Sequence, residues 1–314
     1  ATVITDPASA VPPNLTKGLV ACVRASHWVG KANRLSPDHV DWADIAAVEV
    51  ATVKPHTASL PLRDLAASGK PAQRPIRDIP RSAAIIRQRR SAVDMDARTG
   101  LSLDAFFGML ARTLPDRLPP PWTALDFPPR IHLCLFVHRI DGLSPGLYVL
   151  VRDEARLDAF RAACNDQFTW SRVESSGMPL YALALGDFRE AAAHASCFQE
   201  IAGDSAFSLG MIADFARTLE EDGAWAYRRL FWETGLIGQV LYLEAEAAGV
   251  RSTGMGCYFD DVVHQLLGID LSDDAWQSLY HFTVGGAVDD DRLTTLPAYG
   301  HLPPERTSPG RSGI

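Results

Sequence analysis

Thr253-Gly254-Met255-Gly256-Cys257-Tyr258-Phe259-Asp260-Asp261 is the stretch on which the fold turns. Its glycines leave main chain with no side chain in the way, so a flat ring can lie against it and find amides for its polar edge. Asp260-Asp261 reads as an N-cap pair opening a short helix at 260–267. Immediately upstream runs a long apolar segment, 226–248, closed by Gly249 as a C-terminal cap. Leu230, Phe231, Leu236, Ile237, Val240, Leu241 and Leu243 surround most of this helix, which predicts burial all round rather than one apolar stripe. Gly235 and Gly238 each cost about 1 kcal/mol relative to alanine inside a helix, so the close approach of a second helix is expected to compensate.

Far upstream lies a basic knot, Arg87-Gln88-Arg89-Arg90-Ser91. Guanidinium forks match phosphate oxygens, and a serine hydroxyl adds a neutral donor. Arg89, Arg90 and Ser91 are therefore candidate ligands of an organic phosphate. The Arg-Arg-Ser pattern alone is weak. Its place between a helix and a turn, where ordered sequence begins, singles it out. Arg292, within Asp289-Asp290-Asp291-Arg292-Leu293, is better explained by pairing with its neighbouring aspartates than by a phosphate.

Residues 1–82 are rich in proline and glycine and short of periodic runs, and read as an extended arm or linker. One short helix near 38–50 is expected there, with Ser36 as N-cap and Pro37 in its first position. Helices are expected at 82–90 and 102–114, followed by a stiff loop through Pro119-Pro120-Pro121 and Pro128-Pro129. Strands are expected at 131–137 and 146–151, a helix at 153–164, a strand at 179–184, a helix at 188–197, and strands at 206–212 and 279–285. Helices interleaved with strands give an α+β class, with a mostly antiparallel sheet wrapped by helices. The domain runs from 83 to 300, and 301–314 reads as a flexible tail.

Taken in order, these segments resemble the nitroreductase superfamily, its SagB-type, azoline-oxidising dehydrogenase branch in particular. Glu233-Thr234-Gly235-Leu236-Ile237-Gly238-Gln239-Val240-Leu241-Tyr242-Leu243-Glu244-Ala245 is similar to the central helix of that branch, and Gly142-Leu143-Ser144-Pro145-Gly146-Leu147-Tyr148 and Val284-Gly285 follow its pattern. The likeness covers roughly 83–298, and Trp28 to Ser36 resembles linker sequence of longer members. It implies a nitroreductase-like FMN-binding fold, an FMN cofactor, and a dimer in which the central helix packs across the two-fold axis. Pairing with a second nitroreductase-like domain would serve the same purpose. It further implies that Arg89, Arg90 and Ser91 hold FMN, that Gln199 bonds the flavin's pyrimidine edge, and that Gly254, Gly256, Cys257 and Tyr258 face its reactive edge. A protein nucleophile is not needed, because hydride passes at flavin N5, and no catalytic residue is assigned. Two positions depart from the pattern. Relatives carry a basic residue two places after the serine, where this chain has Val93. A Lys-Tyr pair serves as general base in azoline oxidases, yet no lysine follows Lys70, leaving only Tyr148, Tyr242 or Tyr258. Three readings follow: two-electron dehydrogenation of a peptide or small heterocycle, NAD(P)H-dependent nitro or quinone reduction, or a non-catalytic flavin-fold scaffold in a biosynthetic complex.

The 314 residues, 47% of them hydrophobic, suffice for a full core. A net charge of −8 argues against nucleic acid as a partner, although the charge is uneven. Residues 1–130 carry a net +5 and residues 131–314 a net −13. No apolar run is long enough to span a membrane, and metal-binding spacings such as HExxH are absent. Five cysteines, odd in number and without CxxC pairs, favour a reducing, cytoplasmic location over a disulfide scaffold.

Overall fold

The computed structural model describes residues 17–27, 38, 40–55, 82–115, 121–122, 125 and 127–300. The chain divides into two compact units, Ala1–Ala46 and Ala47–Ile314. Helix α1 spans Lys17–Ala25, and α2 spans Ala43–Ala51. Expectations for Trp28 to Ser36, Pro37, the prolines between 56 and 80, Pro119-Pro120 and the 301–314 tail fall outside the described residues. The α2 helix begins at Ala43 instead of near 38, and Asp38, Val40, Asp41 and Trp42 are not helical.

From Ser82 the elements follow in order: α3 (Ser82–Gln88), α4 (Leu103–Arg112), β1 (Ile131–Val137), β2 (Gly146–Leu150), α5 (Leu157–Ala163), β3 (Ser171–Arg172), β4 (Leu180–Leu185), α6 (Arg189–Ala195), α7 (Glu200–Asp204), β5 (Phe207–Asp214), α8 (Phe215–Asp222), α9 (Tyr227–Ala247), β6 (Arg251–Met255), α10 (Asp260–Leu267) and β7 (Trp276–Gly285). One seven-stranded sheet results, in the order β3-β4-β2-β1-β5-β7-β6. Every neighbouring pair is antiparallel.

Helices cover both faces of this sheet, which explains why its central strands are buried throughout. Every residue of β1 is buried. Successive side chains point to opposite faces. Leu133, Leu135 and Val137 join Phe106, Met109 and Leu110 of α4 and Ile237 and Leu241 of α9 in one core layer. Cys134 and Phe136 join Phe160 of α5 and Val263 and Leu267 of α10 in the other.

Three expectations are corrected. The stretch at 253–261 is not all turn: Arg251–Met255 forms the edge strand β6, with Gly254 paired to Phe282. Asp260 and Asp261 do not cap α10; Phe259 holds the N-cap position without a side-chain bond, and Asp260 is the first helical residue. The α9 helix is buried on one side only, for Phe231, Trp232, Gly235 and Gln239 lie exposed along the other. Gly238 nonetheless has a packing reason. A Cβ there would lie 3.4 Å from the Phe282 ring, so glycine lets α9 rest on the sheet, and the sheet supplies the close approach expected of a second helix. Gly235 meets open space. At the helix end, Gly249 adopts φ +78, the left-handed turn that glycine tolerates.

Glu233, in the buried side of α9, is paired with Arg152, and both side chains are almost wholly enclosed. Its second carboxylate oxygen accepts from the Arg130 backbone N–H at 2.9 Å. The Arg152 guanidinium also donates to the Thr113 and Ile131 carbonyls, at 2.8 and 2.9 Å, and its plane lies over Trp122. This network fastens α9 to the start of β1.

Candidate functional site

The basic knot and the glycine stretch, far apart in sequence, meet along the outer edge of β6. Ser91 bridges to Ser252 in parallel register, the Ala92 N–H donates to the Ser252 carbonyl at 3.0 Å, and Thr253 Oγ1 donates to the Ala92 carbonyl at 2.5 Å. An edge strand has unpaired backbone groups to offer, and residues 91–92 satisfy them here.

Tyr242, on the exposed margin of α9, joins the two. Its phenolic oxygen lies 2.8 Å from Ser91 Oγ and accepts from the Gly254 N–H at 2.9 Å. The Arg89 guanidinium sits over its ring, 4.6 Å from the centroid. Gly254 has a reason unrelated to a ligand: a Cβ there would collide with the Tyr280 phenol. Gly256 differs, since nothing lies within 4 Å of a Cβ built on it. The open main chain is thus at Gly256 and not at Gly254.

Arg90 is committed to backbone carbonyls. Its guanidinium donates to the Arg87 and Arg89 carbonyls at 2.9 and 2.8 Å, and to the Leu296 carbonyl at 2.9 Å. The last bond ties α3 to the segment after β7. Between them lies a cavity of about 930 Å³, lined by Arg87, Gln88, Arg90, Ser91, Val93 and Arg251 on one side and by residues 288–291, 293 and 295–298 on the other. Arg251 pairs with Asp289 at 3.5 Å, a carboxylate whose side chain is 87% exposed. Val93 is itself exposed. Arg292 bonds Asp290 at 2.8 and 2.9 Å and does not line this cavity.

The remaining candidates gather beyond Gly256. Gln199 Nε2 donates to the Ser196 carbonyl at 2.7 Å and to the Cys257 carbonyl at 3.1 Å. Cys257 is in a disulfide with Cys197. Cysteine spacing favoured a reducing location over a disulfide scaffold and did not show this one bond, because two loops remote in sequence meet here. Tyr258 points inward. Its hydroxyl donates to the Leu279 carbonyl at 2.6 Å, and its ring stacks on His281 at 4.7 Å. Burial pushes its phenol up to about 12. Its structural role is to pin the 256–259 loop to β7. His281, pushed down to about 3 by burial, lies against Ser196 Oγ at 3.1 Å and Ser278 Oγ at 3.3 Å. Tyr148 is likewise committed, donating to the Ser144 carbonyl at 2.7 Å. Of the three tyrosines considered as bases, Tyr242 alone stands at the site.

Sequence reasoning missed Arg251 and Asp289, which the β6–β7 pairing brings opposite α3. A basic residue directly after an apolar helix and its glycine cap was the available signal. Among the described residues no group of histidine, cysteine and carboxylate side chains could hold a metal ion, and no helix is long and apolar enough to cross a membrane.

Residues 144–286 match the model of the Nitroreductase family. Among solved structures, the chain is similar to a protein of Anabaena variabilis assigned as a nitroreductase, with a TM-score of 0.50 and 20% identity over 66% of this chain and 38% of that one. It is also similar to a chain of the E. coli microcin synthetase McbBCD complex, with a TM-score of 0.48 and 17% identity over 79% of this chain and 93% of that one. For nitroreductase A of Vibrio parahaemolyticus the TM-score is 0.41, with 13% identity over 70% and 73%. The chain thus spans 38% of the length of the Anabaena protein. No curated protein matches it in sequence. The fold is that of the nitroreductase superfamily.

Proposed function

We propose that this protein is an FMN-dependent oxidoreductase that carries out two-electron hydride transfer at flavin N5. The convergence of Arg89, Ser91 and Gly254 on the Tyr242 side chain is the observation that carries the reading. It brings the phosphate-binding candidates to the start of the loop whose main chain lies open at Gly256. The match of residues 144–286 to the Nitroreductase family supports the flavin assignment.

The residues fit the group. Arg87, Ser91 and Arg251 line one cavity and offer the cations and hydroxyl that a ribityl phosphate needs. Arg251 is held by a single exposed carboxylate at 3.5 Å, a weak partner that a phosphate can displace. Gly256 leaves room for a ring, and Gln199, two carbonyl bonds made, keeps its amide oxygen for a donor on a flavin edge. Bound there, FMN would supply reversible hydride chemistry. The chain's own part is to hold the phosphate and to orient the ring with backbone amides. Val93 leaves negative charge on a reduced flavin without a cation at that position.

A second copy of the chain is the natural cover for the exposed Phe231-Trp232-Gly235 stripe of α9. Dehydrogenation of a peptide or small heterocycle, in the SagB manner, is the finer reading, and NAD(P)H-dependent nitro or quinone reduction is the alternative with the same cofactor. The chain's lack of lysine after Lys70 and the commitment of Arg90 to backbone carbonyls favour a non-catalytic scaffold as the competing class. A visible spectrum of freshly purified protein separates them. Flavin bands, with FMN released on denaturation and lost in an Arg89→Ala/Ser91→Ala variant, are expected. A colourless protein that cannot be reconstituted with FMN sinks the enzyme reading.

A further inference from the structure

The Cys197–Cys257 bond joins the loop after α6 to the loop after β6. Cys257 is exposed and Cys197 half-buried, so a reagent in solution can reach the pair. The other cysteines of this unit are enclosed. Cys134 lies within the sheet, with its thiol pushed far up by burial, and burial pushes Cys164 up to about 12. Access decides which cysteines a reagent reaches, and within this unit it singles out the 197–257 pair.

Two further observations separate this bond from a structural staple. First, the loops are braced without it. Gln199 Nε2 bonds the Cys257 carbonyl at 3.1 Å, the Phe259 N–H donates to the Ala195 carbonyl at 2.8 Å, and the rings of His194, Phe198 and Phe259 pack together at 4.7 to 6.1 Å. When the bond opens, these contacts keep the second sulfur beside the first, so reclosure is effectively intramolecular. Second, Cys197 and Phe198 both have φ 57, a left-handed conformation uncommon for residues with a side chain. Such strain persists only where the surroundings impose it, and it gathers at working sites.

We propose that Cys197–Cys257 is a thiol–disulfide exchange centre that reacts reversibly with small dithiols while the domain stays folded. A dithiol thiolate attacks one sulfur, forming a mixed disulfide and expelling the other cysteine as thiolate. The second thiol of the reagent, as its thiolate, then displaces the remaining cysteine. The reagent leaves as its cyclic disulfide, oxidised by two electrons, and the protein gains both electrons and two protons as Cys197 and Cys257 thiols. The oxidised reagent reverses each step. The chemistry needs no flavin, so it stands or falls apart from the cofactor reading.

The test is to equilibrate the full chain in mixtures of reduced and oxidised dithiothreitol, trap thiols by alkylation, and map the label by peptide mass spectrometry, with circular dichroism alongside. Cys197 and Cys257 should be labelled together, in one two-electron transition that reverses with oxidised reagent and leaves the secondary structure intact. A Cys257→Ser variant should let Cys197 form a mixed disulfide with oxidised glutathione. Labelling of Cys197 and Cys257 only after denaturation, labelling of either before any reductant is added, or loss of structure on reduction would each overturn the proposal, whereas the exposed Cys22 labels throughout. So would failure of Cys197 in the folded variant to take up glutathione.

Discussion

Ser91 Oγ and the phenolic oxygen of Tyr242 lie 2.8 Å apart, joining the segment after α3 to α9. The same phenolic oxygen accepts from Gly254, so one atom holds both halves of the candidate site in register. Tyr242→Phe keeps the ring beneath Arg89 and removes that atom. Loss of one hydrogen-bonding group costs about 1 kcal/mol, so FMN affinity should fall by roughly five- to tenfold with the fold intact. Fluorescence titration of the apoprotein with FMN measures it, and unchanged affinity would remove Tyr242 from the site.

Arg251 and Asp289 should act in opposite directions. Arg251→Ala removes a charge-assisted partner of the phosphate, worth about 1.5–3 kcal/mol, and should lower affinity for FMN at least tenfold while barely changing affinity for riboflavin. Asp289→Asn removes the competing carboxylate and should strengthen FMN binding. Paired titrations with FMN and riboflavin check both. Equal losses for the two flavins on Arg251→Ala would show that the phosphate lies elsewhere.

The two glycines of the edge strand and its loop should part company. Gly254→Ala sets a methyl against Tyr280, with the ring carbon Cζ 3.0 Å away and the hydroxyl nearer still, and should destabilise by about 1–3 kcal/mol. Adding Tyr280→Phe should recover part of that. Gly256→Ala meets nothing within 4 Å, so stability should hold while flavin binding falls. Urea denaturation and FMN titration of the three variants read both quantities.

Glu233→Ala leaves Arg152 buried without its carboxylate and the Arg130 N–H without an acceptor. Breaking a buried pair from one side costs about 3–5 kcal/mol, much of a domain's net stability. A large drop in thermal midpoint is expected, smaller for Glu233→Gln, which keeps an acceptor. A drop within a degree or two would mean that the pair contributes little to anchoring α9.

Among the described residues, three of the four enclosed histidines, held down most strongly, set an acid limit. Burial holds His132 and His281 down to about 3 and His138 to about 4, with the Arg152 and Arg156 charges adding to the effect at His132. All three stay neutral in the fold, whereas the unfolded chain takes up protons as pH falls below about 6.5. Their contribution is complete above that value and is lost as pH falls toward 4, each histidine adding up to about 1.4 kcal/mol per pH unit. Denaturation at a series of pH values should show the slope, and His138→Gln should flatten it. A pH-independent midpoint between 4 and 7 would contradict the burial of these rings.

The strands and helices with strong apolar patterns were legible before the structure. The Ile131–Val137 strand has the expected bounds, because seven consecutive enclosed residues leave no other reading. The Arg251–Met255 strand was not legible, since Arg-Ser-Thr-Gly-Met is polar and lies at the sheet edge, with helices expected to follow. The Glu200–Asp204 and Phe215–Asp222 helices escaped for a similar reason, being short or polar. At the site, the basic knot and the glycine stretch could be picked out by residue type. Their meeting at Tyr242 could not, and neither could the Arg251–Asp289 pair or the Cys197–Cys257 bond, because each depends on which remote segments the sheet order places side by side.

That sheet order also governs how the chain can assemble. The β5 strand pairs with β1 on one side and with β7 on the other, and β7 ends at Gly285. Until Gly285 has left the ribosome, β5 keeps an open, apolar edge and α9 has no floor beneath Gly238. Closure of distant strand pairs is slow compared with local helix formation. The nascent chain is therefore sticky until Gly285 has emerged, and a chaperone's protection should matter more to its yield than any single contact described above.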